Sequence, residues 1–113
     1  METKDKELLL RDLSARLPYG VKLETLEGPQ ELDIKWLSIN MCNIVNPYLP
    51  YLFPVSSMTE EQKKEQESHF ICIKHDMSFS ICRYMEWCYK NHFDINGLLP
   101  KGLAIDATGL NIY

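Results

Sequence analysis

The sequence predicts an α+β fold, and three observations predict it. A leucine stripe with a four-residue period opens the chain, two-residue alternation takes over from Val21, and helical spacing returns beyond Ser57. The expected architecture is an N-terminal helix, a small antiparallel sheet of about three strands, and two further helices. A length of 113 residues points to a single domain over 1–113 with one modest core.

Thr3 is placed to cap the first helix, and Asp5 and Glu7 stand in its opening turn, where acids favour the helix dipole. Leu9, Leu13 and Leu17 recur every fourth residue and Leu10 widens the stripe, while Lys6, Arg11, Asp12 and Arg16 are assigned to the remaining, solvated surface. Such a helix packs on a core, since three turns are too few for a coiled-coil seam. Pro18 and Gly20 stop it.

In VKLETLE, Val21, Leu23 and Thr25 alternate with Lys22 and Glu24, the pattern of a half-buried strand. Gly28-Pro29 reads as a turn. ELDIKWLSI reads as a second strand with Leu32, Ile34 and Trp36 on one face. Its apolar series slips by one residue at Leu37 and Ile39, which a bulge near Trp36–Leu37 accommodates. MCNIV supplies a third short strand. In NPYLPYLFPVSS, prolines at 47, 50 and 54 interleave with rings at 48, 51 and 53, so an extended segment lies over the fold with its rings tucked in. Reading it as a proline-rich ligand calls for flanking basic residues, which it lacks.

SSMTEEQKKEQESHF announces a helix. Ser57-x-x-Glu60 and Thr59-x-x-Gln62 both fit a capping box, and Lys64 stands four residues after Glu60. Its polarity marks it as mostly solvated. The next helix is expected from near Phe79 to Asn91, with Ile81, Met85, Cys88 and His92 on one face and Tyr84 and Trp87 toward a second. In the closing HFDINGLLPKGLAID, Gly97 and Gly102 serve tight turns, and Leu98, Leu99 and Leu103 close the core. Asp94 and Asp106 take the ordinary capping role of acids in turns. A short helix or strand is expected around Leu103–Ile105. The alternative for this segment is a surface motif that contacts a partner.

The net charge of −4 is spread evenly along the chain. An acidic surface without a basic arm gains nothing from phosphates, so neither nucleic acid nor an anionic membrane is an expected partner. Leu8-Leu9-Leu10 runs straight into Arg11 and Asp12, which is no signal peptide, and no apolar run is long enough to cross a bilayer. A cytoplasmic location follows as the expectation. There Cys42, Cys72, Cys82 and Cys88 stay reduced and act as small buried hydrophobes.

One spacing carries possible chemistry. Cys72-x-x-His75 and Cys88-x-x-x-His92 are two close pairs of borderline-soft ligands, the supply a tetrahedral zinc site needs. The order Cys-His-Cys-His departs from the usual Cys-Cys-His-His, and the residues between form a strongly apolar helix. On the competing reading, Cys88 is a core residue and His92 fixes a helix C-terminus through its carbonyls and dipole. Cys88, His92 and Asp94 also supply the residue types of a nucleophile, a base and an orienting acid. Two groups stacked on one helix seldom open onto a cleft, however. With no GxSxG, P-loop, GxGxxG or HExxH in the chain, no catalytic residue and no cofactor are assigned.

LLLRDLSARLPYGVK, PYLFPVSSMTEEQKK and HFDINGLLPKGLAID together resemble a family of small proteins from gut Bacteroidetes genomes, their phages and mobile elements. The resemblance covers about half the chain. It takes in His92 and leaves Cys72, His75 and Cys88 in the family's variable middle. It implies an accessory gene of phage or mobile-element type and brings no activity, ligand or catalytic residue with it. The expected function is a non-catalytic protein-interaction protein with self-association left open. A zinc-stabilised regulatory module and a small enzyme are the alternatives.

Overall fold

The computed structural model describes residues 3–42, 47–71 and 77–113. Their helices and small sheets make an α+β fold. Helix α1 (Thr3–Arg16) buries Leu9 and Leu13 completely, with Leu8 and Leu17 packed beside them. It tightens into a 3₁₀ turn over Leu17–Tyr19, which holds Pro18, and ends at Gly20 with a left-handed φ of 77°. Thr3 is already the first helical residue, so the cap position lies outside the described residues.

Two of its charges are not where the sequence placed them. Asp12 and Arg16 are 1% and 0% exposed, and they pair with each other one turn apart. Leu9, Asp12, Leu13 and Arg16 follow the i, i+3, i+4, i+7 spacing of a single buried face, so the stripe that packs on the core carries an ion pair within it.

Strands β1 (Lys22–Thr25) and β2 (Gly28–Glu31) form an antiparallel hairpin with Lys22 opposite Glu31 and Thr25 opposite Gly28. Its turn falls at Leu26-Glu27, two residues earlier than expected. The Thr25 hydroxyl secures it by donating to Gly28 O at 2.8 Å and accepting from Glu27 N at 3.2 Å. Gly28-Pro29 therefore opens the return strand, and Pro29 is tolerated because β2 neighbours no strand but β1.

The second predicted strand is a helix. After Leu32 closes the hairpin by donating to Val21 O at 2.7 Å, Asp33 caps α2 (Ile34–Cys42), its carboxylate accepting from Trp36 N at 2.9 Å. The slip at Leu37 is the helical period and not a bulge: Trp36, Leu37 and Asn40 turn inward, while Ile34 and Met41 stand 68% and 57% exposed. Met41 and Cys42 end this helix, so the predicted MCNIV strand is not formed there, and residues 43–45 lie outside the described residues.

The proline-rich segment is extended over residues 47–54, as expected, and then tightens into a 3₁₀ turn over Val55–Ser57. Asn40 clamps its start by donating to Tyr48 O at 2.8 Å and accepting from Tyr48 N at 2.9 Å, while the Trp36 and Tyr48 rings meet edge-on at 5.5 Å. Leu23 bridges Pro50 antiparallel, and β3 (Tyr51–Leu52) then pairs in parallel with β4 (Ile105–Asp106). The expected three-stranded antiparallel sheet is thus replaced by a hairpin and a short parallel pair.

Helix α3 (Glu60–Ile71) starts with one of its two candidate capping boxes. Thr59 N donates to Gln62 Oε1 at 2.8 Å, and Gln62 N donates to Thr59 Oγ1 at 3.1 Å. Ser57 instead donates its hydroxyl to Pro54 O, and Glu60 pairs with Lys63 rather than Lys64. Helix α4 (Met77–Lys90) packs on α3 and buries Trp87, Cys88 and Tyr89; Met85 faces outward, against expectation.

Two packing centres result. Leu9, Leu13, Val21, Leu23, Leu32, Leu52, Leu98 and Leu103 form an aliphatic core. Met58, Trp87, Cys88 and Phe93 form a smaller cluster against α4, rimmed by Phe53, Tyr84 and Ile95. No helix of the described residues is long and apolar enough to cross a membrane.

Candidate functional site

Residues 92–106 hold the two packing centres together and, with Pro54 and Val55, build a cleft that places carboxylates against apolar walls. The segment begins where α4 stops. His92 takes a left-handed φ of 64°, its N–H donates to Tyr89 O at 3.1 Å, and Phe93 N–H donates to Cys88 O at 2.8 Å. Those two bonds make a Schellman motif with histidine at the position glycine usually holds. The same pair recurs at Gly102, where Gly102 N donates to Leu99 O and Leu103 N to Leu98 O.

Between the two stops, Phe53 N donates to His92 O and Asp94 N to Phe53 O, each at 2.9 Å. Asp94 is 8% exposed, and its carboxylate oxygens accept from Leu98 N at 2.8 Å and Leu99 N at 2.9 Å. The capping role expected of Asp94 is therefore met, and Gly97 completes the turn with a φ of 72°. Leu98 and Leu103 drop into the aliphatic core, and Ile105 and Ala107 donate to Pro50 O and Leu52 O, each at 2.9 Å. Asp106 accepts from Thr108 N at 2.9 Å, again the expected cap. Its bonds from Thr108, side chain first, hold its carboxyl below the usual carboxylate range.

The buried pair on α1 anchors this segment from beneath. Arg16 Nη2 donates to Phe93 O at 2.7 Å, Asn96 Nδ2 donates to Asp12 Oδ2 at 2.8 Å, and the Arg16 guanidinium lies 5.0 Å over the Tyr89 ring. Sequence reasoning missed both residues. The signal available was an acid and a base at i+3 and i+7 from Leu9, inside the apolar stripe instead of opposite it.

Above the segment, Pro54, Val55, Leu99, Pro100 and Ala104 wall a cleft of about 540 Å³ into which Asp94 and Asp106 also face. That volume lies within the range of small-ligand sites, roughly 300–1,000 Å³. Gly97 lines it too, and a Cβ there would meet nothing within 4 Å.

Of the proposed zinc ligands, Cys72 and His75 lie outside the described residues. Cys88 is fully buried within the aromatic cluster, where burial pushes its thiol up and Tyr84 hydrogen-bonds it. His92 has left the helix, and its ring stacks on Tyr113 at 3.6 Å and 11°. Burial, reinforced by the charges of Arg16 and Lys22, holds its imidazole down to about 4. Among the described residues no three His, Cys, Asp or Glu side chains gather at metal-binding distance.

For the Cys88, His92 and Asp94 grouping, the structure gives each a separate set of partners. The thiol packs on Trp87 and Phe93, the imidazole on Tyr113, and the carboxylate accepts from two backbone amides. A thiol held in its protonated form by burial is a weak nucleophile. The Tyr113 hydroxyl ties the end of the chain over this region, donating to Tyr51 O at 2.7 Å and accepting from Lys22 N at 2.9 Å. Compared with protein-family models, curated proteins and solved structures, the chain matches none.

Proposed function

We propose that this chain is a non-catalytic protein-interaction protein of phage or mobile-element type that acts in the cytoplasm through the cleft above residues 92–106. The observation that carries the reading is the cleft's make-up: apolar walls, two carboxylates, and Val55 40% exposed at its edge. A concave, mostly apolar surface with a few fixed polar groups is the ordinary form of a binding site. The sequence resemblance supports the accessory character of the gene, and the even acidic charge supports a protein partner over a nucleic acid.

The test is co-purification from cells that carry the gene, with the wild-type chain beside Val55→Arg. Val55 is exposed, so that change blocks the cleft without opening the core. A partner recovered in stoichiometric amount with the wild type and lost with the variant is the expected result. Recovery of no protein above an unrelated control counts against the reading.

A further inference from the structure

We infer that the cleft takes an arginine side chain presented by the partner, a deepening that rests on the interaction reading above. Asp94 and Asp106 both face the cleft, no basic side chain lines it, and neither has an ion-pair partner among the described residues. Asp94 is the unusual member. At 8% exposure it is fixed by two amide bonds that still leave further lone pairs on both oxygens, so it offers the cleft a pre-positioned acceptor.

The wall chemistry selects what kind of cation fits. Pro54, Leu99 and Pro100 present apolar surface against which a methylene stem loses water, while a charged head at its end meets the carboxylates. A guanidinium suits the site better than an ammonium. It is planar, more weakly hydrated, and donates two parallel hydrogen bonds to one carboxylate. Gly97 adds a floor without a side chain, which keeps backbone and carboxylate within reach of a planar group.

The probe is N-acetyl-arginine amide, titrated into isotopically labelled protein while the amide resonances of Gly97, Leu99, Ala104 and Asp106 are followed. N-acetyl-citrulline amide, of equal shape without the charge, and N-acetyl-lysine amide are the controls. Saturable shifts confined to the cleft, weaker with lysine and absent with citrulline, are the expected result. Asp106→Asn, on an exposed residue whose amide oxygen still serves Thr108, should weaken arginine binding about tenfold, the scale of one charge-assisted bond. Raising salt should weaken it further.

Equal shifts with citrulline, or arginine binding unchanged in both Asp106→Asn and Asp94→Asn, overturn the proposal. The two readings fail separately. A partner captured equally well by the wild type and by Asp106→Asn keeps the interaction reading and sinks the arginine site. Absence of any partner sinks the former, and the arginine titration still decides the latter.

Discussion

Two acid–base pairs of the same chemistry stand at opposite ends of the exposure scale. Asp12 and Arg16 on α1 have fully buried side chains; Glu60 and Lys63 at the start of α3 are 85% and 52% exposed and 3.5 Å apart. The first pair gives a bond to Phe93 O and takes one from Asn96, so it ties a helix to the closing segment. The second lies largely in solvent and joins only neighbouring turns of one helix. A charged pair thus acquires a structural role from what its remaining hydrogen-bonding positions reach, and its attraction is the smaller part of the matter.

Removing one partner of the buried pair is the strongest way to break that contrast. Arg16→Met leaves the Asp12 carboxylate buried without its cation and should cost about 3–5 kcal/mol in denaturant unfolding. For a domain whose total stability is about 5–15 kcal/mol, that brings it to the edge of unfolding. Asp12→Leu combined with Arg16→Met should cost less than Arg16→Met alone, since no uncompensated charge remains. If the double variant is as unstable as the sum of the two singles, the pair is not coupled and the contrast drawn here is lost.

The next effect lies at the other end of the same segment. His92 is held near 4 in the folded chain against an ordinary 6.5, so the folded state favours the neutral ring. Its contribution is complete above pH 6.5 and is lost progressively as pH falls toward 4, because the unfolded chain takes up the proton first. Discounted for partial exposure, the loss should be on the order of 1–2 kcal/mol. His92→Gly keeps the left-handed backbone and should flatten that part of the stability–pH curve; an unchanged slope would assign it to another group.

On α3 the expected effects shrink. Thr59→Ala removes the oxygen that accepts from Gln62 N and should cost about 1 kcal/mol. Lys63→Ala should fall within about 0.5 kcal/mol of the wild type and show no salt dependence worth the name. A loss above that from Lys63→Ala, measured by the same unfolding curves, would mean that exposure alone does not separate the two pairs.

The elements that could be read from sequence were those whose signal is local. The leucine stripe of α1, the alternation of β1, the Thr59-x-x-Gln62 box and the glycines of the closing turns each depend on neighbours within a few residues, and each stands in the structure. Helix α2 was misread because Leu32, Ile34 and Trp36 satisfy a two-residue period by chance. Trp36, Leu37 and Asn40 carry the true one, and the deciding clue was Asp33 as a cap. The pairing of β3 with β4 gives no local signal at all, since two-residue strands far apart in the chain carry no pattern of their own. Site residues divided the same way. Asp94 and Asp106 were legible as turn acids, but the cleft they share exists only once Pro54 and Val55 are folded against them.

The two packing centres have an optical consequence. The chain has two tryptophans, and each centre holds one: Trp36 packs beside the aliphatic core against Tyr48, and Trp87 is stacked on Phe93 at 5.5 Å inside the aromatic cluster. Trp36→Phe leaves a fluorophore only in the second centre, and Trp87→Phe leaves one only in the first. The pair of single-tryptophan proteins therefore reads each half of the molecule in its own emission. Coincident transitions would mark one cooperative unit, and a gap between them would make residues 92–106 the seam along which it opens.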